Sequence, residues 1–125
     1  MSLKFINPIP LVRDMEVSRK FYSEVLGLKI VQDYPVFVLF EDHFAIHQAQ
    51  AYHAMAFGHE TEAAARPQGQ DNVVLYFETP DLEGMFARLQ GQVRVIHPIR
   101  QQAWGQKVFR FYDPDGHMVE IGEPM

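Results

Sequence analysis

The chain has 125 residues, 47% apolar and 22% charged, the balance of one globular domain long enough to bury a core. Its net charge of −5 and sequence pI of about 5.6 argue against nucleic acid and anionic membranes as partners. The absence of cysteine removes disulfides, thiol chemistry and Cys-ligated zinc, and the N-terminal MSLKFINPIP carries no apolar leader segment, so a cytoplasmic protein is the expectation.

In chain order, Pro8 and Pro10 stand two apart in the first expected strand. Their missing N–H groups fall on one side, so this strand should show an edge there. Asp14 then sits where a carboxylate caps a helix and meets its dipole. The spacing of Val17, Phe21 and Val25, widened by Tyr22 and Leu26, predicts a helix over 15–26 that Gly27 stops. Strands are expected at 29–34, 36–41 and 44–48. Residues 49–71 read as a linker with a helical turn or two and as a candidate lid, containing Ala63-Ala64-Ala65, Pro67 and Gly69. His53 and His59 fall within it.

The plan then repeats. Tyr76-Phe77-Glu78-Thr79-Pro80-Asp81 matches the first strand and cap, with Asp81 at the position of Asp14. Leu82, Met85, Phe86 and Leu89 form the buried stripe of a shorter helix ended by Gly91. Strands are expected at 93–99, 107–112 and 118–122, the last two joined by a turn at Asp113-Pro114-Asp115-Gly116. The organisation is module one 1–48, linker 49–71 and module two 72–125, each module β-α-β-β-β.

Asp113-Pro114-Asp115-Gly116-His117-Met118-Val119-Glu120, the duplicated plan, and the stretch from Arg13 through Phe21-Tyr22 to Leu26-Gly27-Leu28 carry a family likeness. The chain resembles the glyoxalase/bleomycin-resistance/dioxygenase superfamily, the vicinal-oxygen-chelate proteins. The resemblance implies an α+β fold whose two modules form a curved mixed sheet with a cleft, usually in a homodimer. It also implies four metal-ligand positions. The first-strand ones lie seven residues before each capping Asp, at Asn7 and Val74. The last-strand ones are Glu120 and, by aligning Asp42–His47 with Asp115–Glu120, His47.

His47 and Glu120 would thus be ligands in a reduced site for zinc, nickel, manganese or iron, one of them also serving as base in a metal-dependent lyase or dioxygenase. Val74 offers no donor and Asn7 a poor one. The alternative is a metal-free protein that sequesters a small aromatic or toxic compound, which the aromatic content of 13% also suits.

Each candidate keeps two readings. Glu120 is a ligand or base, or a carboxylate answering an Arg. His47 is a ligand or acid/base group, or a strand-end histidine satisfied by hydrogen bonds. Asn7 is a structural or substrate-binding amide, and Tyr76 shares a strand face with Val74 and Glu78. Arg110 and Tyr112 share one strand face and Phe109 and Phe111 the other. Rings fit under a helix, so Arg110 and Tyr112 are expected toward the cleft, with Arg110 on an anionic substrate or on Glu120. Trp104, in the preceding turn, stacks on a ligand or simply packs. His43, His97 and His117 have no special claim.

Overall fold

The computed structural model describes residues 1–125, which form two compact units, Met1–Gln68 and Gly69–Met125. The first holds β1 (Leu11–Val12), α1 (Met15–Lys20), β2 (Ile30–Asp33), β3 (Phe37–Phe40), β4 (Phe44–Gln48) and α2 (Ala49–Phe57). The second holds β5 (Val74–Glu78), α3 (Leu82–Leu89), β6 (Arg94–Gln101), β7 (Lys107–Tyr112) and β8 (Met118–Gly122). Each unit builds its own four-stranded mixed sheet, ordered β1-β4-β3-β2 and β5-β8-β7-β6. In both, the first strand lies parallel to the last and the other pairs are antiparallel. The expected β-α-β-β-β modules are therefore present. No helix is long and apolar enough to cross a membrane.

Helices α1 and α3 start as their sequences dictate. Asp14 accepts the amide of Val17, and Asp81 that of Gly84. The first helix departs from a uniform α-helix: after Lys20 the chain widens into π-helical turns over Phe21–Val25, where the amide of Leu26 reaches the carbonyl of Phe21. Gly27, at φ +78°, ends it. The widened turn keeps Tyr22 fully buried, its ring against Phe40 (5.9 Å) and Phe44 (5.0 Å). β1 is shorter than its counterpart β5 because Pro8 and Pro10 cannot donate. It is an edge strand, and the carbonyl of Pro10 accepts from the amide of His47.

The segment 49–71 is more ordered than a linker. Gln48 caps α2 by accepting from Ala51, Gly58 closes it at φ +83°, and a 3-10 turn follows at Ala63–Ala65. Unit one takes in all of it up to Gln68.

In unit two, Phe109 and Phe111 are fully buried, and Phe109 meets Phe86 of α3 edge-on at 5.1 Å. The helix thus covers the Phe109/Phe111 face. Arg110 and Tyr112 point from the opposite face by strand alternation, as the ring argument expected.

Candidate functional site

The open face of the second sheet carries a polar rung. Tyr76 of β5 is the register partner of Glu120 of β8, Glu120 of Arg110 of β7, and Arg110 of His97 of β6. Four side chains from four strands therefore stand in one line. Arg110 joins them: its Nε donates to Glu120 Oε1 (2.8 Å), Nη1 to His97 Nε2 (2.9 Å) and Nη2 to Gln102 Oε1 (3.0 Å). A guanidinium only donates, so His97 Nε2 accepts and its proton sits on Nδ1, which donates to the carbonyl of Pro98 at 2.7 Å. Glu120 and Arg110 are largely buried, with side-chain exposures of 13% and 24%.

The rungs on either side differ. Val74, Met118, Tyr112 and Arg94 form one, with the Arg94 guanidinium 4.4 Å from the Tyr112 ring centre. The other contains Glu78 and Gly122. Here the missing side chain of Gly122 matters, because a Cβ would collide with the amide of Gln106. That amide, almost fully buried, donates to the Tyr76 hydroxyl (2.8 Å) and to the carbonyl of Glu123 (2.8 Å), and accepts from the Trp104 indole (2.8 Å). Gly122→Ala is expected to displace Gln106, cost about 1–3 kcal/mol by overpacking, and red-shift the emission of Trp104, the one tryptophan in the chain. An unchanged emission spectrum would show that Gln106 does not hold the indole.

Tyr76 donates to Glu78 Oε2 at 2.6 Å. That bond, then partial desolvation, holds its phenol above the ordinary value of 10.0. A folded-state value above the unfolded one stabilises the fold below pH 10, and this contribution is lost as pH rises through the raised value. Glu78→Gln is expected to move Tyr76 ionisation downward in an alkaline ultraviolet titration. No movement would assign the shift to burial.

In unit one, His47 is buried. Its Nδ1 donates to the carbonyl of Gln48 (2.9 Å), leaving the Nε2 lone pair as the available donor to a ligand, and Tyr52 packs edge-on at 5.2 Å. The alignment of His47 with Glu120 needs correction. Three residues before the capping Asp, Leu11 pairs with His47 in unit one, whereas Glu78 pairs with Gly122 in unit two. His47 is thus the counterpart of Gly122, and Ala45 of Glu120. Leu39, opposite Ala45, is likewise the counterpart of Arg110, so the Arg110–Glu120 pair of unit two has apolar counterparts in unit one.

The metal implied by the resemblance can be tested against these donors. Val74 has none. The Asn7 amide donates to the carbonyl of its neighbour Pro8 at 3.0 Å. Glu120 is committed to Arg110, and no three His, Cys, Asp or Glu side chains gather as a metal would require. The implied positions thus offer two strong donors, His47 in one unit and Glu120 in the other, where a resident metal takes three or four protein ligands.

Of the expected residues, the structure joins Glu120 and Arg110 in one hydrogen-bonded cluster and Tyr76 and, through Gln106, Trp104 in another, with Tyr76 the register partner of Glu120. Tyr112 lies on the adjacent rung, its hydroxyl 3.4 Å from Asp71. Asn7 and His47 belong to unit one. Gln102 and His97 complete the first cluster and Gln106 the second, without having been singled out as candidates.

Comparison with known proteins follows the same line. A family model described as a glyoxalase-like domain matches residues 5–125. A protein of unknown function from Agrobacterium tumefaciens str. C58 is 45% identical over 100% of this chain and 97% of its own, with a TM-score of 0.93. A glyoxalase/bleomycin resistance protein/dioxygenase from Nocardioides is 22% identical over 98% of this chain and 85% of its own (TM-score 0.77). A lactoylglutathione lyase from Agrobacterium tumefaciens is 20% identical over 98% and 95% (TM-score 0.73). The last two show likeness of fold alone. No curated protein matches the chain.

Proposed function

Because this chain belongs to the glyoxalase-like domain family, we propose that it binds a small organic molecule without a metal, on the open face of its second sheet. The observation that carries this reading is the Arg110–Glu120 pair. The carboxylate that a metal or a substrate proton would need is neutralised at 2.8 Å, and the lone pair of His97 that could act as base is spent on the same guanidinium. What remains free suits recognition: one oxygen of Glu120, and the exposed faces of Tyr76 and Trp104. A flat, partly aromatic compound would lie against these rings and give a hydrogen bond to Glu120. The homodimer and the cytoplasmic location expected from the sequence belong to the same proposal, and light scattering checks the first.

The test is a thermal-shift screen of small aromatic compounds with and without chelator, beside elemental analysis of wild type and Glu120→Ala. The expected result is a saturable rise in Tm that chelator leaves unchanged. At about 100 times Kd such a ligand adds about 2.7 kcal/mol. Stoichiometric metal in wild type that Glu120→Ala loses, with ligand binding abolished by chelator, would overturn this reading in favour of a metal-dependent lyase or dioxygenase.

A further inference from the structure

One corner of the second sheet carries charge that its surroundings leave unbalanced. Glu78 is exposed, its carboxylate accepts the Tyr76 hydroxyl, and no Lys or Arg pairs with it. Arg110, one rung along the same face, is spent on Glu120, His97 and Gln102. The hydrogen bond to Glu78, then desolvation, raises the Tyr76 phenol above its ordinary value, and the charge of Glu78 adds to that.

Two aromatic rings are linked to this carboxylate by hydrogen bonds, Tyr76 directly and Trp104 through Gln106. Trp104 is 59% exposed and Tyr76 43%, an unusual outlay of large rings to water in one place. Their polar edges are not free to wander, because the indole N–H and the phenol oxygen are tied to opposite ends of the Gln106 amide, which is 6% exposed and anchored again on the carbonyl of Glu123. Gly122 leaves the space in which that amide lies. The rings are thus held by their edges with their faces in water. Rings with negative faces, fixed beside an unpaired carboxylate, attract a cation that also has apolar surface. An anion there would meet the unpaired carboxylate of Glu78.

We infer that this corner, within the binding reading proposed above, takes an organic cation: a flat molecule bearing a protonated or quaternary amine, its charge against Glu78 and its apolar body over Trp104 and Tyr76. The positive charge would be shared between the carboxylate and the ring faces, so binding should weaken as salt rises.

The test uses benzyltrimethylammonium, its uncharged isostere neopentylbenzene, and phenylacetate, with Trp104 emission reporting occupancy and calorimetry reporting affinity. The cation is expected to bind saturably and about tenfold more tightly than either of the others. Glu78→Gln, at an exposed position, should remove most of that preference while the chain stays folded, and Trp104→Phe should weaken the cation in calorimetry. No saturable response to the cation, equal binding of cation and anion, or an unchanged preference in Glu78→Gln would overturn the inference. Binding of the neutral compound or the anion in its place would overturn the charge preference while leaving the binding reading standing. Should none of the three bind, the chelator-controlled screen decides that reading separately.

Discussion

Arg110→Ala is expected to destabilise the second unit by about 2–4 kcal/mol and to abolish the polar rung. The reason is asymmetric. The pair with Glu120 contributes little against an apolar alternative, because both charges give up water to meet. Removing one partner is a different matter. Glu120, 13% exposed, keeps its charge and loses its cation, while His97 Nε2 and Gln102 Oε1 each lose a donor. Losing one partner of a fully buried pair costs about 3–5 kcal/mol, and the residual exposure of both groups lowers that figure here. Urea unfolding of Arg110→Ala, Glu120→Gln and the double variant measures it. The double variant should recover much of the loss, since it removes the orphaned charge. Additive losses in the two single variants would mean that the pair is not coupled as its geometry implies.

The same cycle separates structure from recognition. If the rung only stiffens the sheet, ligand affinity falls in proportion to stability in every variant. If Glu120 also receives a hydrogen bond from the ligand, Glu120→Gln loses affinity beyond its effect on Tm, because an amide is a weaker acceptor than a carboxylate.

Much of this was legible in the chain, and what was not has physical causes. The two modules announced themselves through Asp14 and Asp81 at equivalent caps and through apolar stripes at helical spacing. The alternation Phe109/Phe111 against Arg110/Tyr112 told which face the helix covers, and pairing of Arg110 with Glu120 was one of the two partners foreseen. Residues 49–57 were legible only as a helical turn or two within a linker because α2 has no apolar stripe: Ala-rich and mixed on every side, it gives no periodic signal even though its composition favours helix. The π-helical turns after Lys20 carry no signature either. Phe21, Tyr22 and Val25 fit a uniform helix equally well.

The site was harder to read because it depends on register. β6 is irregular on both sides of His97, between Val95 and His97 and again between His97 and Arg100, and this places His97 opposite Arg110. Without the irregularities, nothing distinguishes His97 from an ordinary strand histidine. The placing of His47 opposite Glu120 failed for a related reason. Counting from Asp42 and Asp115 assumes hairpins of equal length. The hairpin of unit two pairs to Tyr112 and Met118 around a five-residue turn, whereas that of unit one closes at Phe40 and Phe44 around three. Strand pairing, counted from the helix caps, makes Gly122 the true counterpart. A position that in one unit carries an imidazole is, in the other, the gap that admits Gln106.

Asp113→Ala is the second substitution with a large expected cost, about 2–4 kcal/mol. Asp113 is 4% exposed, and its Oδ1 accepts from the amides of Asp115 (2.9 Å) and His117 (2.8 Å), both inside the turn that joins β7 to β8. Removing the carboxylate leaves two buried N–H groups without that acceptor, at about 1–3 kcal/mol each. The turn has little freedom to compensate. Gly69 donates to the carbonyl of Asp115 at 3.0 Å and lies so close to Gly116 that a side chain there would strike its backbone. The consequence reaches the site, because this turn sets the register that brings Arg110 opposite Glu120. Asp113→Asn keeps an oxygen in the same place and should retain most of the stability and ligand affinity that Asp113→Ala loses. Equal losses in the two variants, measured by urea unfolding, would show that the charge holds the turn rather than the oxygen's bonds to the two amides. Ligand affinity surviving a full loss of the turn brace would separate the register of β7 and β8 from the turn between them.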